Sequence, residues 1–336
     1  MTSNPNKPTF NTDRSRLFKD RLAQFGITVG GVMVLIALLL IFFYLLYIVQ
    51  PIFESAKVEK RDSFNLTNAE QIVGVGVEEQ TEVAYLLSQQ GSVDFYSVEK
   101  ANFGKKLKTL EVTLPSDVSS FATSAPFQGQ YAYGLENGSV KIVIPKFMVT
   151  FPNNERKLTP RLDYPLGELA LEVDEQGAAI KRFAFSHFED KTAVVALTAD
   201  KRVLFSSFVE ENMFSGEVEW LVERTELDVA GRVDELLMSP DTTRVFVRSA
   251  NQIYVYDTRD PSEVEQIQLL SANEENANIV AAQLLAGANS LMLANDNGKV
   301  SQWFEINTDS GREYQKIRSF ETTKQSKLNV FTEFYR

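Results

Sequence analysis

The chain has 336 residues, with 34 Lys and Arg against 45 Asp and Glu, a single histidine and no cysteine. Disulfides and thiolate chemistry are therefore excluded, and so is a histidine-rich metal site. The part after residue 56 carries 29 basic and 42 acidic side chains. A domain with that balance repels the phosphate backbone of nucleic acids, so no nucleic-acid partner is expected.

An uncharged segment, Leu22 to Phe53, is the first element of the chain. Its apolar part, Ile27 to Val49, has 23 residues. At about 1.5 Å per residue, a helix of that length crosses the roughly 30 Å hydrocarbon layer of a membrane. We therefore predict a transmembrane helix over residues 27–49. The alternative is a cleaved signal peptide. The apolar region of a signal peptide is shorter than this segment, however, and Ser55-Ala56 is a poor cleavage site.

Basic residues on either side of this span predict its orientation. Five precede it and three follow closely: Lys7, Arg14, Arg16, Lys19 and Arg21, then Lys57, Lys60 and Arg61. This excess places the N-terminus in the cytoplasm and the bulk of the chain outside it. Residues 1–26 form the predicted cytoplasmic part. Within it, Asp13–Phe25 is either an amphipathic helix on the membrane surface or the first turns of the anchor helix.

The rest of the chain contains a repeat. Five times, a short turn is followed by a valine or isoleucine that opens an alternating apolar strand: Val93, Val140, Val203, Ile253 and Val300. Their spacings are 47, 63, 50 and 47 residues. A second apolar strand precedes each turn. The two strands form a predicted hairpin, because Asn-Gly and similar turns tolerate the positive φ that tight hairpins need.

An earlier strand opens each of the five units. The starts, near Ile72, Val118, Ile180, Val233 and Ile279, lie 21, 22, 23, 20 and 21 residues before the repeated valine or isoleucine. A unit of about 40–50 residues with three strands and room for a fourth is typical of a β-propeller blade. We predict an all-β, propeller-like domain over residues 65–336, after a linker at 50–64. The alternative is a β-sandwich with irregular spacing.

Two segments depart from the repeat. Phe147 to Pro165 contains three prolines, which predicts a loop inserted into the longest interval. One repeat beyond Ile279, Lys327 to Phe334 predicts the first strand of a sixth blade after about five complete ones. A blade with one strand leaves an unpaired edge. We therefore expect the domain to be truncated and the polypeptide to be the front part of a longer one.

Residues with catalytic chemistry are sparse. Gly74-Val75-Gly76-Val77 lacks the rest of a nucleotide-binding loop and is interpreted as glycine within a strand. His187 lies where a predicted strand enters a turn, which favours a structural role. Glu78-Glu79 and Glu210-Glu211 predict exposed turns, and Asn273–Asn276 predicts a solvated loop, with a weak calcium site as the alternative. We predict no enzyme activity and no catalytic, cofactor-binding or metal-binding residues.

The anchor resembles a known family at Asp20–Val32, Leu38–Leu46 and Pro51–Phe53. These segments are similar to the N-terminus of the large permease subunit of the phosphate ABC transporter, in the long form found in gammaproteobacteria. In that form, a periplasmic domain of several hundred residues separates the first transmembrane helix from the other permease helices. The resemblance covers the anchor closely and the following domain by layout.

The resemblance implies phosphate import across the bacterial inner membrane. Besides the lipid bilayer, the implied partners are a second permease subunit, ATPase subunits and a periplasmic phosphate-binding protein. The sequence departs from the family because it lacks the later membrane helices and the loop that docks on the ATPase, so no translocation residue carries over. We expect the anchored N-terminal portion of such a permease, with its periplasmic propeller as a protein-interaction domain. The alternative is a stand-alone envelope scaffold with a single span.

Overall fold

The computed structural model describes residues 14–53, 63–66, 71–167, 169–212, 218–271, 277–285, 290–309 and 311–321. The chain divides into two compact units between Asp62 and Ser63. This division lies two residues from the predicted boundary between linker and propeller. Residues 1–13 of the predicted cytoplasmic part, the acidic cluster Asn273–Asn276 and the predicted strand Lys327–Phe334 lie outside the described residues.

The first unit contains one long helix. Helix α1, Arg14–Val49, is followed by a single 3-10 turn, Gln50–Phe53. The helix runs without a break from Arg14 through the predicted span, so residues 14–25 form its first turns rather than a separate amphipathic helix. Its large apolar side chains are exposed along the span. By length and composition, α1 could cross a membrane.

The second unit consists of antiparallel sheets, which we call blades 1 to 5. In each blade the first four strands follow one another in chain order. Their bounds are β1 (Ile72–Val77), β2 (Val83–Ser88), β3 (Ser92–Ser97) and β4 (Lys106–Glu111) in blade 1; β5 (Val118–Thr123), β6 (Tyr131–Leu135), β7 (Ser139–Thr150), β8 (Lys157–Asp163) and the short β9 (Leu171–Glu172) in blade 2; β10 (Ile180–Phe188), β11 (Lys191–Thr198), β12 (Val203–Asn212) and β13 (Val218–Glu226) in blade 3; β14 (Val233–Met238), β15 (Arg244–Ser249), β16 (Gln252–Asp257) and β17 (Glu265–Ser271) in blade 4; and β18 (Ile279–Leu284), β19 (Ser290–Asn295), β20 (Lys299–Thr308) and β21 (Gly311–Glu321) in blade 5.

Neighbouring blades pack face to face. One hydrophobic cluster joins blades 1 and 2, and further clusters join blades 2 and 3, 3 and 4, and 4 and 5. The first strands of all five blades line one shared cavity. This arrangement is a β-propeller, as predicted, and not the two-layered sandwich that was the alternative.

The turns between second and third strands have the backbone that the repeat predicts. Each contains a residue with positive φ: Gly91 (91°), Gly138 (79°), Lys201 (72°), Ala250 (51°) and Gly298 (83°). Three of the five are glycine, which adopts this conformation without a steric penalty. The turn residues thus mark the positions of the hairpins in the sequence, because each turn requires a residue with positive φ.

Every first strand contains the same β-bulge. In each blade the register shifts by one residue directly after the first position of the strand. The first and fourth positions therefore face the same side. The fourth-position side chains Phe121, Phe183, Leu236 and Ala282 pack in the cluster shared with the preceding blade. In blade 1 the equivalent residue, Val75, is 66% exposed.

The prediction of a loop from Phe147 to Pro165 is wrong. Strand β7 continues to Thr150 and pairs with β8, with Phe147 opposite Pro160. Proline is tolerated there because β8 is the outermost strand, where a missing N–H leaves no partner unsatisfied. The beginning of β7 pairs instead with β9. The long interval in the repeat is therefore a hairpin extension of blade 2.

Candidate interaction surface

The shared cavity lies at the centre of the propeller and has a volume of about 620 Å³. Most of the residues that line it are apolar, and Arg182 and Glu235 are the charged ones. Arg182 donates to the carbonyl of Asp234, and Glu235 accepts from Arg248 Nε (3.0 Å) and from the N–H of Ala282 (3.0 Å). Both charges therefore connect neighbouring blades.

One end of the propeller carries the connections from first to second strands and from third to fourth strands. We call it the upper end. There, Gln128 in the β5–β6 connection reaches across the cavity mouth, with Nε2 3.2 Å from Ser186 Oγ, 3.1 Å from the carbonyl of His187 and 3.4 Å from that of Pro240. Ser186 Oγ also donates to the carbonyl of Pro240 (2.6 Å). One loop of blade 2 is thus fixed to blades 3 and 4, which gives the upper end a defined shape.

A buried arginine joins blades 4 and 5 near the same end. Arg244, the first residue of β15, is 2% exposed. Its Nη1 lies 2.9 Å from Asp257 Oδ1, and its Nε donates to Glu305 Oε1 (3.1 Å). A buried guanidinium requires such partners because its desolvation is costly. A charged residue at the start of an apolar strand is the one sign of this network that can be read from the sequence.

His187 lies one residue before the end of β10, where the strand enters the turn to β11, as predicted. Its Nδ1 is 2.8 Å from Thr192 Oγ1, on the paired strand. Burial lowers the pKa of His187 below its ordinary value of 6.5, although the charges of Asp190 and Glu210 oppose the shift. The folded state therefore favours the neutral imidazole, which contacts the paired strand.

Of the two acidic pairs, Glu79 lies exposed in a turn as predicted, whereas the other three glutamates differ from the prediction. Glu78 does lie in a turn, but it is mostly buried, and its Oε1 is 2.6 Å from Arg156 Nη2 in the β7–β8 hairpin. Glu210 and Glu211 belong to β12 and pair with Trp220 and Glu219. Among the described residues, no three or more His, Cys, Asp or Glu side chains are grouped so that they could hold a metal ion.

The exposed residues of the β7–β8 hairpin were not predicted from the sequence. Lys157, Thr159 and Arg161 alternate with Leu158, Pro160 and Leu162. This period of two was the available signal for a strand, and the prolines concealed it. The hairpin adds a second exposed surface to the propeller, beside the upper end.

Comparison with known proteins adds little to this geometry. No protein-family model and no curated protein matches the sequence. Among solved structures, the chain is similar to the Myceliophteria thermophila Cps50 (Swd1) β-propeller domain, at 10% identity and a TM-score of 0.40, over 77% of this chain and 74% of that one. At that level the likeness carries no argument about function, and the propeller assignment rests on the sheets described above.

Replacing Arg244 by leucine is expected to lower the free energy of unfolding by about 3 kcal/mol, because Asp257 and Glu305 lose a buried partner. The matched control is Arg232→Leu, since Arg232 is 89% exposed and pairs with Asp234. Its expected effect is about 1 kcal/mol or less. Urea unfolding of the full chain in detergent, followed by tryptophan fluorescence, measures both. Equal effects would show that the Arg244 network adds nothing to stability.

The lowered pKa of His187 predicts a dependence of stability on pH. The folded state favours neutral imidazole, so this contribution is complete above the unfolded pKa of about 6.5 and is lost as the pH falls below it. His187→Gln removes the titration of the imidazole and keeps every other ionisable group in place. We expect the wild type to lose stability relative to the variant between about pH 7 and pH 5. Urea midpoints that stay parallel across this range would contradict the shift.

Proposed function

We propose that this is a membrane-anchored interaction protein, in which α1 lies in a bilayer and the propeller binds partner proteins at its upper end. The observation that supports this most is the Gln128 bridge, which fixes loops from three blades in one surface. Loops on a rigid scaffold are the usual place for binding residues. A propeller offers a broad surface of this kind at each end.

We further propose that the chain is the N-terminal portion of a phosphate ABC import permease in the bacterial inner membrane. The support is the resemblance at Asp20–Val32 and Leu38–Leu46, together with the order of one apolar helix followed by a large β domain. The propeller would then lie in the periplasm. Its partner would be the phosphate-binding protein or another envelope component, while a second permease subunit and the ATPase subunits complete the transporter.

Single cysteines test the orientation cleanly, because the natural chain contains none. Ser262 is exposed in the connection between β16 and β17, and Thr12 precedes α1. In intact spheroplasts, a membrane-impermeant maleimide is expected to label Ser262→Cys. Thr12→Cys is expected to react only after permeabilisation. The opposite pattern would refute the orientation, and the cysteine-free wild type measures background labelling.

In-frame removal of residues 65–321 from the gene in its source cells tests the transport role. We expect slower phosphate uptake at limiting phosphate, with normal amounts of protein in the membrane, because the binding surface is lost while α1 remains. Cells carrying the Arg232→Leu variant serve as the control. Unchanged uptake would reject the transport role. A native polypeptide no heavier than this chain, detected by antibody, would favour the stand-alone scaffold.

A further inference from the structure

The β7–β8 hairpin has two different faces. Residues directly opposite each other in an antiparallel pair share a face. Phe147 opposite Pro160 and Val149 opposite Leu158 therefore form one face. The other, which we call the outer face, consists of Lys146 opposite Arg161, Met148 opposite Thr159, and Thr150 opposite Lys157.

The first of these faces is fixed to blade 1. The ring of Phe147 lies 5.7 Å from that of Phe95 and 6.3 Å from that of Tyr85, centroid to centroid. Near the tip of the hairpin, Arg156 pairs with Glu78 (2.6 Å) and Glu82. The outer face is thus presented to solvent on a ribbon that cannot turn freely.

The outer face carries more positive charge than its own carboxylate can neutralise. Like charges directly opposite each other destabilise a strand pair, yet Lys146 and Arg161 are opposed. Both contact the same oxygen, Asp163 Oδ2, at 3.2 and 3.1 Å. Lys157 is exposed and has no carboxylate within ion-pair distance among the described residues. This face therefore carries three cations and one carboxylate, which pairs with two of them.

This surplus contrasts with the rest of the domain. Residues 99–163 contain nine Lys and Arg against six Asp and Glu, whereas residues 166–321 contain 14 against 28. An acidic partner is repelled by most of the propeller and attracted to this part. Charge separation of this kind directs encounter and orientation.

We propose that the outer face binds an extended acidic segment of a partner protein, with the pattern acidic–x–apolar–x–acidic. Lys157 and Arg161 are four residues apart on one strand, or about 13 Å. In an extended partner, the side chains at positions i and i+4 have the same spacing and face the same way. Met148, 52% exposed, lies opposite Thr159 between the two cations and meets the apolar side chain at i+2.

The inference rests on the proposed role in protein binding but concerns the flank of blade 2 rather than the loops that Gln128 joins. Cations and Pro160 on an outer strand also discourage edge-to-edge aggregation. That role requires neither the spacing of the cations nor Met148. The experiment therefore tests the spacing and the methionine.

The probe is a fluorescent peptide with the core Glu-Ser-Leu-Ser-Glu, and its binding to the full chain in nanodiscs of zwitterionic lipid is measured by anisotropy. We expect salt-sensitive binding that weakens about tenfold or more in Lys157→Glu/Arg161→Glu. Met148→Ser is expected to weaken it less. The matched control is Lys181→Glu/Lys316→Glu, which reverses two exposed lysines elsewhere in the propeller and should bind normally. A peptide with the two glutamates adjacent should bind weakly to the wild type.

Equal binding of the spaced and adjacent peptides, or equal loss in the control variant, would overturn the proposal. The proposal would also be overturned if no peptide binds, while phosphatidylglycerol vesicles do bind and their binding requires Lys157 and Arg161. Tryptophan fluorescence of each variant confirms folding, and the reversed peptide Lys-Ser-Leu-Ser-Lys should bind Lys157→Glu/Arg161→Glu. The proposed function is tested by phosphate uptake. Absence of peptide binding would therefore reject this inference without deciding the proposed function.

Discussion

Each blade of the propeller is a sheet with two apolar faces, and the rest of the structure depends on covering both. Strands β6 and β19 are buried at every position. A sheet of this kind is stable only between two other layers, since burying apolar area contributes about 25 cal/mol per Å². The outer strands carry the charge, as in β4, where most residues are exposed. Blades stacked around an axis satisfy both requirements.

The hydrophobic effect is not directional, so polar contacts determine the orientation of each blade relative to the next. Ser119 Oγ donates to the carbonyl of Ile180 (2.7 Å), and Arg248 Nη1 donates to the carbonyl of Ile279 (3.3 Å). Each carbonyl belongs to the first position of the following blade. At the junction of blades 2 and 3 the approach is so close that a Cβ on Gly134 would lie 2.9 Å from the ring of Phe183 and 3.0 Å from Ile180 Cγ2. Small residues and main-chain acceptors therefore set the alignment of blades.

The fold could be predicted where local chemistry repeats. The first strands begin at the five predicted residues, and the hairpins lie where the turn residues place them, because alternation and positive φ act within a few residues. Outer strands were harder to predict. Each has a neighbouring strand on one side only and carries charged side chains, so its sequence shows little apolar periodicity. Contacts between distant segments, such as Arg156 with Glu78 or Arg244 with Glu305, have no local pattern. The exposed ribbon of blade 2 was missed for both reasons.

The bulge in the first strands makes the assignment of side chains to junctions depend on register rather than on spacing along the chain. In blade 3, Ile180 lies opposite Thr198 and Phe183 opposite Ala196, so both side chains face the same junction although they are three residues apart. Deleting the extra residue between them would keep both pairs and leave the junction unchanged. A slip of one residue in the ladder that follows would instead turn every later side chain of the strand to the opposite face. A first strand can thus lose the extra residue without changing neighbours, but its pairing cannot shift.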